Sequence, residues 1–132
     1  MRMRVAYLAG GFKSGWQDQL LKIEGFKFID PRSKELRDGE KINMPVQQYG
    51  QWDLHFIRNS DIVFVYAEHD NKSCIGLSVE AGYAKGLGKT VILVLEPNDT
   101  IKNEYLVFLT QVADITFSNF EQGVDYLKSF SI

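Results

Sequence analysis

Two stretches of the chain are apolar at every position. Ile62-Val63-Phe64-Val65-Tyr66 and the run from Val91 to Leu95 show no alternation with polar residues. A strand with one face in water alternates, so an unbroken apolar run flanked by polar residues predicts a parallel strand covered on both faces. Val5-Ala6-Tyr7-Leu8-Ala9, closed by Gly10-Gly11, reads the same way, and shorter strands are expected at Phe26 to Ile29, before Asp30-Pro31, and at Ile115 to Phe117. The intervening segments carry helical spacing. Trp16, Leu20, Leu21 and Ile23 predict a helix from about Trp16 to Ile23. Pro45 opens another to about Asn59, with Val46, Tyr49, Leu54 and Ile57 on or near one face. Further helices are expected from Ser78 to Leu87, Asn103 to Val112 and Phe120 to Phe130. Ser33 to Met44 is charged and weakly patterned and reads as a loop, as does Glu68 to Ser73.

Strands and helices alternate from end to end, which predicts an α/β protein: a single-domain, flavodoxin-like (Rossmann-like) three-layer sandwich over residues 1–132. A common order for its five parallel strands is 2-1-3-4-5, with the topological switch point between the first and third. Ligands of such sheets bind at the carboxyl ends of the strands beside that point. Here the loops concerned are Gly10–Ser14 and Ala67–Ser78.

Composition narrows the ligand. The chain has 132 residues, 45% of them hydrophobic and 24% charged, with a formal net charge of −2. This suits a globular domain and gives no basic surface for a nucleic-acid polymer. The single cysteine, Cys74, allows no internal disulfide, which fits a reducing compartment. The apolar stretch after the basic start is too short for a signal-peptide core, and no run approaches a membrane span. A cytoplasmic protein without membrane contact is expected.

Glu80 is the acid best placed for chemistry. With Ser78 as N-cap, Glu80 stands in the first helical turn at the mouth of the crevice. An acid there also stabilises a helix through its dipole, by up to about 1 kcal/mol, so spacing leaves both roles open. A helix N-terminus is further expected to keep the carboxylate ionised, as a nucleophile requires. Phe12 and Trp16 follow the first strand and can stack on a planar ligand, although Trp16 equally suits helix packing. Lys13, Ser14, Ser73 and Ser78 can donate to a phosphate, or serve as loop and cap residues.

Three motifs share a resemblance. Tyr7-Leu8-Ala9-Gly10-Gly11-Phe12, then Asp53-Leu54 with Ile57 and Asp61, then Gly76-Leu77-Ser78-Val79-Glu80-Ala81-Gly82-Tyr83-Ala84 running on to Gly88-Lys89, resemble the motifs of the nucleoside 2-deoxyribosyltransferase superfamily, in the same order. The superfamily includes related 2′-deoxynucleoside 5′-phosphate N-hydrolases. The resemblance implies that Glu80 is the nucleophile that attacks the anomeric carbon. It implies that Tyr7 steadies that carboxylate and that Asp53 lies near the sugar and leaving base. The binding set it implies is Gly10, Gly11, Phe12, Lys13, Ser14, Trp16, Ser73, Cys74, Gly76 and Ser78. The expected ligands are a nucleoside or nucleotide and a free nucleobase, without cofactor or metal. The expected assembly is a homo-oligomer, with Tyr105 and Phe108 as candidate contributors to a neighbour. Cys74 stands where the transferases tend to carry an acid, and the chain ends soon after its last helix. Both departures favour hydrolysis of 5′-monophosphates as an alternative to base transfer. A nucleotide-binding module without turnover is a third reading.

Other signals carry less. Gly88-Lys89-Thr90 is no phosphate-binding P-loop, because Tyr83 occupies the required upstream glycine and the segment leads from helix to strand. Gly88 reads instead as a helix stop. Gly10-Gly11 lacks the rest of a dinucleotide fingerprint. His69 and Asp70 have no ligand-spaced partners, and Cys74 has no base beside it in sequence, so they read as a surface loop and a pocket wall.

Overall fold

The first strand, β1 (Arg4–Gly10), occupies the position that organises the molecule. It pairs in parallel with β2 (Phe26–Ile29) on one side and β3 (Ile62–Ala67) on the other. Beyond β3 lie β4 (Thr90–Leu95) and β5 (Ile115–Phe117), also parallel, giving the order β2-β1-β3-β4-β5. The expected topology and switch point are therefore present. The computed structural model describes residues 2–34 and 44–131; most of the loop read from Ser33 to Met44, and the side chain of Val46, lie outside the described residues.

Alternation along the central strands divides the core in two. Tyr7, Ala9, Val63, Val65, Val91 and Leu93 face one side. There they meet Ile57 of α2 (Val46–Arg58), Leu77, Ala81 and Ala84 of α3 (Ile75–Gly86), and Leu109 of α4 (Val107–Val112). Ala6, Leu8, Phe64, Ile92 and Val94 face the other side, against Trp16, Leu20 of α1 (Gln17–Leu20) and Leu127 of α5 (Phe120–Lys128). Each fully buried large aliphatic stabilises the fold by about 1.5–3 kcal/mol relative to exposure. A fully apolar β3 is what two covered faces demand.

Acidic residues at strand starts tie the sheet together. The Asp61 carboxylate accepts the Val5 N–H at 2.8 Å and both terminal nitrogens of Arg2. Asp114 does the same for the Val91 N–H at 2.7 Å and for Lys85. Asp61 is thus a junction residue between α2 and β3.

Helix lengths differ from the sequence reading in three places. The first helix is one turn long, because the chain bends after Leu21 and reaches a left-handed Gly25. The segment before α4 is a 3-10 turn from Asn103 to Leu106. The third helix starts at Ile75, three residues before Ser78, whose hydroxyl donates back to the Cys74 carbonyl at 2.8 Å instead of capping. Gly88 ends this region at φ +75°, as expected. Among the described residues no helix is long and apolar enough to cross a membrane.

Gly123 sets how closely α5 approaches the sheet. A Cβ there would overlap Val94 Cγ2 on β4 and touch the Phe64 ring. Gly123→Ala should therefore destabilise the protein by about 2 kcal/mol, because overpacking outweighs the gain in helix propensity. Thermal unfolding measures this; a variant as stable as the parent would show that the helix can move away.

Candidate active site

An open cleft of about 280 Å³ lies at the carboxyl end of β1, between the loops that follow β1 and β3. That is near the lower end of the usual range for small-molecule sites. Its floor is the end of β1, with Tyr7, Gly10, Gly11 and Phe12. Tyr49 and Asp53, one turn apart on α2, form a second wall. The third is the loop and first turns of α3, including Asn71, Ser73, Cys74, Gly76 and Glu80.

Tyr7 and Glu80 meet across this cleft. Tyr7 points to the α3 side of β1, is fully buried, and its hydroxyl donates to Glu80 Oε2 at 2.8 Å. Because α3 begins at Ile75, Glu80 lies in its second turn. The helix-end field falls off within the first turn, so the dipole argument loses its force. Desolvation dominates instead and pushes the Glu80 carboxyl up to about 7. The Tyr7 hydrogen bond pulls it down and the charge of Asp53 pushes it up further. The expectation of a carboxylate kept ionised by its helix is thus corrected. At neutral pH the group is poised between its two forms.

Gly10 is required by close packing. A Cβ at Gly10 would lie 2.7 Å from the Trp16 ring and 2.9 Å from the Tyr66 carbonyl oxygen. Trp16 Nε1 and Gln17 Nε2 both donate to the Gly11 carbonyl, at 2.9 and 3.0 Å. Trp16 is only 3% exposed and belongs to the core on the opposite face of the sheet. It braces the loop from below, and is not placed to stack on a ligand in the cleft.

The remaining expected residues divide. Gly10, Gly11, Phe12, Ser73, Cys74 and Gly76 line the cleft with the three candidate catalytic residues. Lys13 lines an adjoining hollow with Glu68 and Lys72, Ser14 hydrogen-bonds Glu68, and Ser78 is engaged with the helix backbone. The Cys74 thiol is buried, which raises its pKa and makes it a wall rather than a nucleophile. Tyr49 and Asn71 were missed. Tyr49 was findable, since it precedes Asp53 by one helical turn and so shares its face. His69 pairs with Asp99 at 2.9 Å in an exposed loop. Among the described residues no group of three or more His, Cys, Asp or Glu is placed to hold a metal ion.

The open parallel α/β sheet thus gathers a tyrosine-bound glutamate and a second carboxylate in its switch-point cleft, and paired carboxylates are the groups that glycosidic chemistry uses. Residues 4–98 match the family described as nucleoside 2-deoxyribosyltransferase like, and the chain belongs to that family. It is thereby an enzyme of the N-glycosyl transferase or hydrolase kind. Solved structures share the fold. A conserved protein from Enterococcus faecalis V583 superposes with a TM-score of 0.74 at 15% identity, covering 97% of this chain and 99% of that one. A 2-deoxyribosyltransferase from Bacillus psychrosaccharolyticus gives 0.67 at 23% identity, over 97% and 93%. A CMP N-glycosidase from Clostridium botulinum gives 0.62 at 20% identity, over 96% and 100%. No curated protein sequence matches the chain significantly.

Proposed function

We propose that the protein cleaves the N-glycosidic bond of a (deoxy)nucleoside through a glycosyl ester on Glu80 and passes the deoxyribosyl group to another nucleobase. The observation that carries this reading is the hydrogen bond from the buried Tyr7 hydroxyl to Glu80 in a cleft that also holds Asp53. In the first step Glu80 attacks the anomeric carbon, the bond to the base nitrogen breaks, and its electron pair leaves with the base. The proton that the base takes up comes from water and reaches the base by way of the Asp53 carboxylate. In the second step the incoming base attacks the same carbon, the ester bond breaks, and the proton on the attacking nitrogen goes to Asp53. Two inversions retain configuration. The Tyr7 hydrogen bond favours the ionised, nucleophilic form of Glu80, and Phe12 offers an aromatic face to the base.

A second reading replaces the incoming base by water and the nucleoside by its 5′-monophosphate. It is supported by the wall from Ser73 to Leu77, which carries a hydroxyl and no acid and stands at the start of α3. Helix N-termini favour anions. Incubation with deoxynucleosides and their 5′-monophosphates, each with and without a second base, separates the readings. Base exchange marks transfer, and free base without acceptor marks hydrolysis. Failure of every combination would overturn both and favour a binding module. The proposal extends to a cytoplasmic homo-oligomer. Tyr105 and Phe108, 70% and 78% exposed, are its candidate contacts, and sedimentation measures the assembly.

A further inference from the structure

The loop that leads into α3 is held from behind by a residue outside the cleft. Cys74 has φ 55° and ψ 16°, and among the described residues it is the only one besides glycines in the left-handed region. A side chain there costs about 1–2 kcal/mol, so the conformation needs a fixed partner. Asn71 supplies it. Its side-chain oxygen accepts the N–H of Cys74 at 3.0 Å and that of Ser73 at 3.3 Å. The turn so formed sets the direction in which α3 starts and where Ser73 to Leu77 stand along the cleft.

Asn71 is itself held by Asn98, on the loop between β4 and α4. Asn98 Nδ2 donates to the Asn71 carbonyl oxygen at 2.9 Å. Asn98 Oδ1 accepts from Thr100 N, Thr100 Oγ1 and Ile101 N, at 2.8, 3.1 and 2.7 Å. One carboxamide thus spans two loops, with its oxygen organising its own and its nitrogen gripping the neighbour. The Asp99 N–H donating to the His69 carbonyl, and the His69 N–H donating to Glu96, run alongside. Asn98 does not line the cleft.

We infer that Asn98 is a positioning residue for the reaction: acting through Asn71, it fixes the cleft wall from Ser73 to Leu77 against which the substrate seats. This rests on the proposed function for its link to substrate, though not for the coupling of the loops. Glu80 is secured separately, by Tyr7 and by the buried Ala81 and Ala84 further along its helix. Loosening the wall therefore weakens substrate binding while leaving the nucleophile in place. That signature is a rise in KM with kcat held.

Asn98→Asp isolates the nitrogen's role. It keeps the oxygen that organises residues 98–101 and replaces the donor to Asn71 with an acceptor. Amide hydrogen exchange should quicken about tenfold at Ser73 and Cys74, stay unchanged at Ile101 and at Leu93 in the sheet, and KM should rise about three- to tenfold with kcat within twofold. Asn98→Ala should raise KM likewise and also release the Ile101 amide. Unchanged exchange at Ser73 and Cys74 in Asn98→Asp would overturn the coupling, and this holds even for a protein that turns over no nucleoside. Faster exchange with an unaltered KM in both variants would overturn the link to substrate.

Discussion

Replacing Glu80 by glutamine should abolish turnover and, at pH 8, make the protein more stable than the parent. The first effect follows from losing the atom that bonds to the sugar. An amide oxygen is a poor nucleophile, and kcat should fall by about 10⁴-fold or more. The second follows from the carboxyl's pKa, raised by burial from the ordinary 4.5 to about 7. In the unfolded chain the group is ionised above about 4.5; in the folded protein it stays protonated up to about 7. Between those values folding takes up a proton, so stability falls as pH rises through the window. By pH 8 the buried charge costs up to about 3 kcal/mol, on the order of 1.4 kcal/mol per pKa unit. Glutamine carries no charge and can still accept the Tyr7 hydrogen bond. Its melting temperature should exceed the parent's by several degrees at pH 8 and match it at pH 4.5. A parent-like melting temperature at both pH values would show that the Glu80 charge is not buried at that cost. Turnover within tenfold of the parent would remove Glu80 from the reaction.

Asp53→Asn should produce the next largest loss, a fall in kcat of about 10²–10⁴-fold, the usual worth of a general acid. The test lies in the leaving group. A nucleoside whose base is already alkylated on a ring nitrogen departs without needing a proton, and should regain most of the lost rate. Glu80 should respond as well, because the charge of Asp53 helps to raise its pKa. In the parent, kcat/KM should climb with pH through about 7 as Glu80 ionises. In Asp53→Asn that limb should move to lower pH. Equal slowing of ordinary and alkylated substrates would mean that Asp53 positions the sugar and does not protonate the base.

The three central strands were legible because both their faces are buried, and burial writes itself into unbroken apolar runs; β2 and β5, at the edges, are shorter and carry Lys27 and Thr116. Tyr7 and Asp53 were legible by resemblance, and the fold brings both to the cleft with Glu80. The start of α3 was not. Serine is a good N-cap, so Ser78 seemed to mark the boundary, yet the turn held by Asn71 moves it back to Cys74. That shift of three residues took Glu80 out of reach of the helix-end field and left desolvation to decide its charge. Trp16 kept two readings, ligand stacking and helix packing, for a different reason. An aromatic beside a ligand loop can lie above or below the sheet, and only the packing against Phe64, Tyr66 and Phe120 assigns it below.

On the reaction proposed above, the hydrogen-bonded Glu80 would also govern time. While it carries a sugar it is a neutral ester, well suited to a site that solvates charge poorly. Every route that frees it must restore an anion there, whether the sugar leaves on water or on a base. Release through that route should therefore be uphill by comparison with a solvent-exposed glutamate, and an enzyme loaded in this way should wait longer between its two steps. A delay of that kind serves a transferase, since one base must diffuse out and another must enter before water reacts.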